Sequence, residues 1–118
     1  MPYRAWPLRI QDIIQSVERI QRTTAGMNFD DFTNIDELIL QGILYNFIII
    51  GEASVNVNDE IQSRYPEIPW RFMAGMRNVM AHEYFQVDET IIWNTIQNHL
   101  PALVPLLQDL LAREQPEI

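Results

Sequence analysis

The sequence predicts an all-α fold, an up-and-down helical bundle of four to five helices in one domain covering residues 1–118. Apolar residues recur at helical spacing in several segments, and capping residues or prolines fall between those segments. No segment shows the strict alternation or the turn signals of a β-hairpin. The chain has 118 residues, of which 47% are hydrophobic, enough to form a single core.

The first helix is predicted over residues 8–22. Ile10 and Ile20 belong to its apolar face, while glutamine, aspartate, glutamate and arginine fill the other face. Gly26 can adopt the left-handed conformation that closes a helix C-terminus. The polar residues 27–33 are then expected to form a loop.

The second helix is apolar on nearly every side and is predicted to continue to Ala53 as the central helix. Asn34 and Glu37 have the spacing of a capping box at its start. Its isoleucines also suggest a buried strand, but the run is too long for one strand. Residues 43–50 include Asn46 and are fewer than the ~20 residues of a membrane span, so we expect a soluble protein.

Prolines mark predicted starts and interruptions of helices in the C-terminal half. After a short helical turn, Pro69 is well placed as the first residue of a helix that carries the chain to Tyr84. Asp88 can cap the last helix. Pro101 and Pro105 predict a kink or a restart before the final apolar run.

Composition limits the chemistry and the location. The chain has no cysteine, which excludes disulfides, thiolate metal sites and a cysteine nucleophile, and fits the cytoplasm. Its N-terminus lacks the apolar core of a signal peptide. Sixteen acids against eight arginines give a formal charge of −8, which argues against indiscriminate binding to phosphate backbones. Any RNA contact must therefore be local or assisted by a partner.

One short segment combines residues suited to RNA cleavage, namely Arg77, His82 and Tyr84. Cleavage without a metal needs a group that moves protons near neutral pH, which histidine provides. It also needs donors on the phosphate, which the arginine fork supplies. Arg77 and His82 diverge by roughly 140° around an ideal helix, so a composite site at a twofold interface joins them more naturally. Arg64 and Arg71 are candidates for phosphate contacts at its rim.

Each of these residues also has a purely structural interpretation. Arg77 could pair with Glu83 or with an acid elsewhere, and His82 could interact with a helix end. Glu52 could accept a hydrogen bond from an arginine inside the bundle. His82, Glu83 and His99 lack the spacing of metal ligands, so we expect no metal site. The residue pattern alone favours these structural interpretations.

A resemblance over roughly residues 10–111 favours a functional interpretation of these residues instead. Five stretches, in this order, resemble the successive signatures of the HepT-like family of HEPN ribonucleases. They are DII at residues 12–14 with Ile20, TAGM at 24–27, IIGEA at 49–53, RYPEIPW at 64–70 and MRNVMAHEYF at 76–85. The family's Arg-x4-His-x-Tyr motif is complete in Arg77, His82 and Tyr84.

The resemblance implies a homodimeric endoribonuclease, the toxin of a type VII-like toxin–antitoxin pair, that acts without a cofactor. Its antitoxin would be a MntA-like nucleotidyltransferase that transfers AMP from ATP to Tyr84. Arg77 and His82 would be catalytic, with Asn78 and Glu52 in supporting roles. The alternative is a catalytically silent helical module that docks a nucleotidyltransferase.

The chain also departs from this family in two respects. Family members often carry an arginine shortly before the Gly-Glu-Ala signature, where this chain reads Tyr45-Asn46-Phe47. We therefore expect Glu52 to lack its usual partner. The chain also has no lysine, which predicts weak RNA affinity.

Overall fold

The computed structural model describes residues 5–82 and 88–114, and of residues 78–82 it describes the backbone alone. This described part is helical, without strands, which confirms the all-α prediction. The helices are α1 (Trp6–Thr24), α2 (Phe29–Thr33), α3 (Glu37–Val55), α4 (Asp59–Arg64), α5 (Trp70–His82), α6 (Glu89–Asn98) and α7 (Leu100–Glu114). Five of these seven have ten residues or more, as the sequence predicts. α4 corresponds to the predicted short helical turn before Pro69, and α2 is an additional short helix.

The buried residues form one hydrophobic cluster with α3 as its main contributor. α3 packs against both α1 and α5, and α1 also packs against α7. Ile13 of α1, Phe47 of α3 and Met73 of α5 are all fully buried. Since the C-terminal end of α1 lies beside the first half of α3, these two helices run antiparallel.

Among the described helices, α3 alone has the length and composition that would allow it to cross a membrane. The core helix of a soluble bundle passes the same test. Ile43, Phe47 and Ile50 are buried against neighbouring helices, so part of the apolar surface of α3 belongs to the protein core.

The loop predicted at residues 27–33 is wrong, because α2 begins at Phe29. Asn28 caps α2: its Oδ1 accepts the N–H of Asp31 at 2.7 Å, and the Asp31 carboxylate accepts the N–H of Asn28 at 3.1 Å. Phe32 is fully buried and anchors this helix on the core. The sequence prediction missed α2 because the segment is mostly polar and Phe32 is its one buried side chain.

The capping box predicted at the start of α3 is also absent. The N-cap is Asp36, whose carboxylate accepts the N–H of Leu38 at 2.9 Å. Asn34 instead ends α2, where its side chain donates to the carbonyl of Asp30 at 2.9 Å. A short side chain adjacent to the helix therefore caps it, rather than the Asn34–Glu37 pair.

The start and end signals of the other helices agree more closely with the sequence predictions. Gly26 has a φ of 81°, in the left-handed region, as predicted. α5 begins at Trp70, one residue after Pro69. Asp88 caps α6 and accepts the N–H groups of the second and third helical residues. The helix restart comes at Leu100, earlier than predicted, and α7 continues through Pro105 without ending.

Candidate active site

Helices α3 and α5 come into close contact at Gly51 and Arg77. A Cβ atom built on Gly51 would lie 2.5 Å from the Cβ of Arg77 and 2.6 Å from its backbone nitrogen. Side chains in proteins do not approach that closely, so only glycine allows this contact. Because glycine costs a helix about 0.5–1 kcal/mol relative to alanine, this close contact gives a reason for glycine at position 51. Gly51 belongs to the IIGEA stretch at residues 49–53, and the sequence pattern alone indicates no role for it.

The residue after this glycine holds the Arg77 side chain. Arg77 Nη1 donates to Glu52 Oε2 at 2.8 Å. The hypothesis that Glu52 accepts a hydrogen bond from an arginine of the bundle is therefore confirmed. The donor comes from α5, in place of the arginine that is missing from the helix of Glu52. This pair agrees with the interpretation in which Arg77 pairs with an acid other than Glu83, and Glu83 itself lies outside the described residues.

The Arg77–Glu52 ion pair is only partly shielded from water. The side chain of Arg77 is 33% exposed and that of Glu52 is 55% exposed. Of the five N–H groups on the Arg77 guanidinium, one is used in this bond within the described part of the chain. Arg77 can therefore offer further donors to an anion without leaving Glu52.

The other motif residues are described less fully. α5 continues past position 78 and ends at His82, but the side chains of Asn78 and His82 lie outside the described residues. Tyr84 lies entirely outside them. Position 82 is five residues beyond Arg77, which corresponds to about 140° around the helix and about 7.5 Å along it. Since Arg77 faces α3, the two motif positions lie on different sides of α5.

The two rim candidates have different surroundings. Arg71 lies in the first turn of α5, is exposed and forms no ion pair with any residue that the structure describes. Arg64, at the end of α4, donates to Glu60 and to Glu114, each at 2.6 Å. Glu114 also accepts the hydroxyl hydrogen of Tyr65 at 2.8 Å. Arg64 is thus part of a cluster that joins α4 to α7.

The bonds in this cluster shift two acid–base equilibria. The hydrogen bond from Tyr65, followed by the bond and charge of Arg64, holds the pKa of Glu114 below its ordinary value, although partial burial opposes the shift. Partial burial and the bond to Glu114 raise the pKa of Tyr65. Both shifts are typical of a structural contact that favours the carboxylate and the neutral phenol.

Comparison with known proteins identifies the family. The model of the ribonuclease HepT-like family matches residues 13–110. The chain belongs to this family, which confirms the prediction of a HepT-like ribonuclease.

Several relatives agree with this assignment. A protein of Thermococcus cleftensis named probable ribonuclease HepT is 37% identical over 94 residues, which are 80% of this chain and 84% of that protein. A candidate RNase of Caldanaerobacter subterraneus is 33% identical over 106 residues, 90% of this chain and 94% of the relative. A candidate RNase of Methanocaldococcus jannaschii is 31% identical over 103 residues, 87% and 88% of the two chains. No solved structure matches at a comparable level of significance.

Proposed function

We propose that this chain is a metal-independent endoribonuclease that acts in the cytoplasm as the toxin of a toxin–antitoxin pair. One observation beyond family membership carries the proposal. The first residue of the Arg-x4-His motif, Arg77, is fixed against α3 by Gly51 and Glu52, while most of its N–H donors form no hydrogen bond with the described residues. A fixed, partly exposed cation of this kind is suited to a phosphate on which negative charge develops.

In the proposed reaction His82 moves the proton and Arg77 stabilises the charge. The 2′-oxygen of the RNA attacks the adjacent phosphorus and loses its proton, and the bond from phosphorus to the 5′-oxygen breaks. The products are a 2′,3′-cyclic phosphate and a strand whose 5′-oxygen gains a proton. Arg77 donates hydrogen bonds to the phosphate oxygens throughout. Asn78, next to Arg77 in α5, helps to orient the substrate.

The site is proposed to be shared between two copies of the chain. Arg77 faces α3, and position 82 lies about 140° away from it around α5. A twofold axis beside α5 would bring Arg77 of one copy towards the second copy's motif. Leu38 and Tyr45, which are 76% and 63% exposed, fall at seven-residue intervals on the face of α3 that includes Glu52. A second copy would cover this apolar surface next to the ion pair.

Arg71 is the better of the two proposed RNA contacts at the rim. It precedes His82 by eleven residues, so the two positions lie within about 20° of each other around α5. Their separation along the helix is about 16 Å, which suits contacts to different phosphates of one strand. Arg64 is already neutralised by two carboxylates, which weakens its attraction for a phosphate.

A cleavage assay with purified protein tests the proposed reaction. We expect RNA cleavage in the presence of EDTA and a 2′,3′-cyclic phosphate end on the product. His82→Ala and Arg77→Ala should each lose most of the cleavage activity and keep the helical content. Arg113→Ala is the matched control, since Arg113 is exposed and pairs with Asp109 at 3.0 Å within α7. Cleavage that requires a metal, or that survives both substitutions, contradicts the proposal.

Mixing variants tests the shared site. Heterodimers of Arg77→Ala and His82→Ala subunits should recover part of the activity, because one of their two composite sites keeps both residues. A chain that is monomeric in solution, as measured by light scattering, contradicts this arrangement.

Control of the toxin is proposed to act through Tyr84. AMP transferred to Tyr84 by a MntA-like nucleotidyltransferase would place an anionic group two residues from His82, where it competes with the RNA phosphate. Intact-mass measurement after co-expression with the transferase should show added AMP on the wild type and none on Tyr84→Phe. If Tyr84→Phe is inhibited as strongly as the wild type, control runs through binding alone.

The second candidate is a catalytically silent module that docks the nucleotidyltransferase. The formal charge of −8 and the neutralisation of Arg77 by Glu52 favour it. It predicts stable complex formation with the transferase and no cleavage of RNA by the unmodified chain. The same cleavage assay therefore separates the two candidates.

A further inference from the structure

A second candidate site lies in a groove between α1 and the first half of α3. The groove has a volume of about 370 Å³ and is open to solvent on one side. Arg19 and Arg22 line it from α1, while Ile39, Gly42 and Asn46 line it from α3. None of these residues belongs to the Arg77 site.

Two neighbouring arginines at this groove lack a carboxylate partner among the described residues. Arg19 and Arg22 are exposed, lie three residues apart on one side of α1, and form no ion pair in the described part of the chain. Arg64, Arg77 and Arg113 all pair with carboxylates. In a chain with sixteen acidic residues, two adjacent arginines without a carboxylate form a local site for an anion.

The walls of the groove supply an apolar surface and free space. Ile20 and Ile43 lie buried at its base, and Ile39 is 43% exposed at its rim. A Cβ atom built on Gly42 would meet nothing within 4 Å, so packing within the chain does not require glycine there. Gly42 thus contrasts with Gly51, and its missing side chain keeps the groove open despite the weakening of the helix.

Asn46 adds an acceptor that has no partner among the described residues. Its Nδ2 donates to the carbonyl of Gly42 at 2.8 Å, which assigns the other amide atom as Oδ1. That oxygen is buried and accepts no hydrogen bond from the described residues. Buried acceptors are normally satisfied, so a donor N–H on a bound molecule would complete this one.

We propose that this groove binds one nucleotide unit. Its phosphate would pair with the guanidinium forks of Arg19 and Arg22, because arginine matches phosphate geometry with two parallel bonds. Its base would lie against Ile39, with a base N–H donated to Asn46 Oδ1. The volume falls within the range of small-molecule sites. The unit can come from a free nucleotide or from an RNA strand, and only the second source rests on the proposed ribonuclease function.

Direct binding measurements test this proposal without relying on catalysis. Isothermal titration with AMP represents the free nucleotide, and fluorescence anisotropy with a short 2′-O-methyl oligonucleotide represents a strand that cannot be cleaved by 2′-oxygen attack. We expect the double variant Arg19→Ala/Arg22→Ala to raise the Kd by about tenfold or more. Gly42→Leu should weaken binding similarly by filling the groove without a change of charge. Arg113→Ala should leave the Kd within about twofold of the wild type.

Each outcome bears on the proposal directly. Binding of both probes identifies a free nucleotide as a sufficient ligand, and binding of the oligonucleotide alone identifies the strand as the source. Unchanged binding in the arginine double variant or in Gly42→Leu overturns the proposal, as does the absence of wild-type binding to both probes. An equal loss in Arg113→Ala would indicate a general effect of charge and also overturn it. RNA cleavage that depends on Arg77 would remain in each of these cases, so the two proposals can fail separately.

Discussion

Two arginines of this chain join helices through carboxylates, but their surroundings differ. Arg77 pairs with one carboxylate, Glu52, and connects α5 to α3. Arg64 is shared by two carboxylates, and one of them, Glu114, links α4 to α7 and also binds the Tyr65 hydroxyl. The residue types are the same in both contacts.

The difference lies in how much binding capacity remains. The Glu114 side chain is 16% exposed, and its pKa is held low by neutral and charged donors. The Glu52 side chain is 55% exposed, and Arg77 uses one donor on it. Arg64 is neutralised by two carboxylates and fixes helices together, whereas Arg77 is held by one carboxylate and can still bind an anion. Substitutions can test separately whether each arginine contributes to stability or to anion binding.

The largest difference should come from removing the two arginines in turn. Arg77→Ala should lower the RNA cleavage rate by about 10²–10³-fold, because one positioned donor to a charged transition state contributes about that much. Arg64→Ala should lower the thermal midpoint instead and change the cleavage rate much less. Cleavage kinetics and thermal melts on the same preparations measure both effects. Equal losses of cleavage in the two variants would remove the distinction.

The second effect concerns the glycine beneath Arg77. Gly51→Ala should destabilise the fold by about 1–3 kcal/mol, because the added methyl group forces α3 and α5 apart. Gly42→Ala is the matched control, since a methyl group there meets nothing within 4 Å. It should stabilise the helix by about 0.5–1 kcal/mol. Urea unfolding measures both values, and a destabilised Gly42→Ala together with a neutral Gly51→Ala would contradict the contact.

A smaller effect should follow from changing Glu52. Glu52→Ala should lower kcat by roughly tenfold with little change in KM, because Arg77 loses the group that orients it. Glu52→Gln keeps an acceptor oxygen and should retain most of the activity. Because a half-exposed ion pair contributes about 0–1 kcal/mol, both variants should fold normally. If Glu52→Gln is as impaired as Glu52→Ala, the acceptor alone does not explain the role.

The smallest effect is the pH dependence of the Glu114 cluster. The folded-state pKa of Glu114 is lowered, so its stabilising effect is fully present above the unfolded-state value and is lost as pH falls through the folded-state value. Glu114→Gln should therefore melt below the wild type at neutral pH, and the gap should close in acid. Tyr65→Phe removes the largest cause of the shift and should narrow the same gap. A gap that stays constant with pH would exclude this linkage.

The fold could be predicted from the sequence wherever periodicity and caps agreed. Residues 8–22 show one apolar face and lie within α1, and Asp88 caps α6 as expected. Prediction failed at α2, where Phe32 alone provides the burial. The composition of a whole segment does not show that one of its side chains is buried. Burial of one aromatic side chain is nevertheless enough to anchor a helix of five residues.

By itself, the sequence determined the helical class, the family and the motif residues Arg77, His82 and Tyr84. These depend on local spacing and on residue identity, which a linear pattern records. The tertiary structure alone decided that Arg77 pairs with Glu52, because the two residues are 25 positions apart and belong to different helices. It also decided that packing requires glycine at position 51 and does not require it at position 42. One faces the backbone of another helix and the other faces open space, and no local pattern encodes that difference.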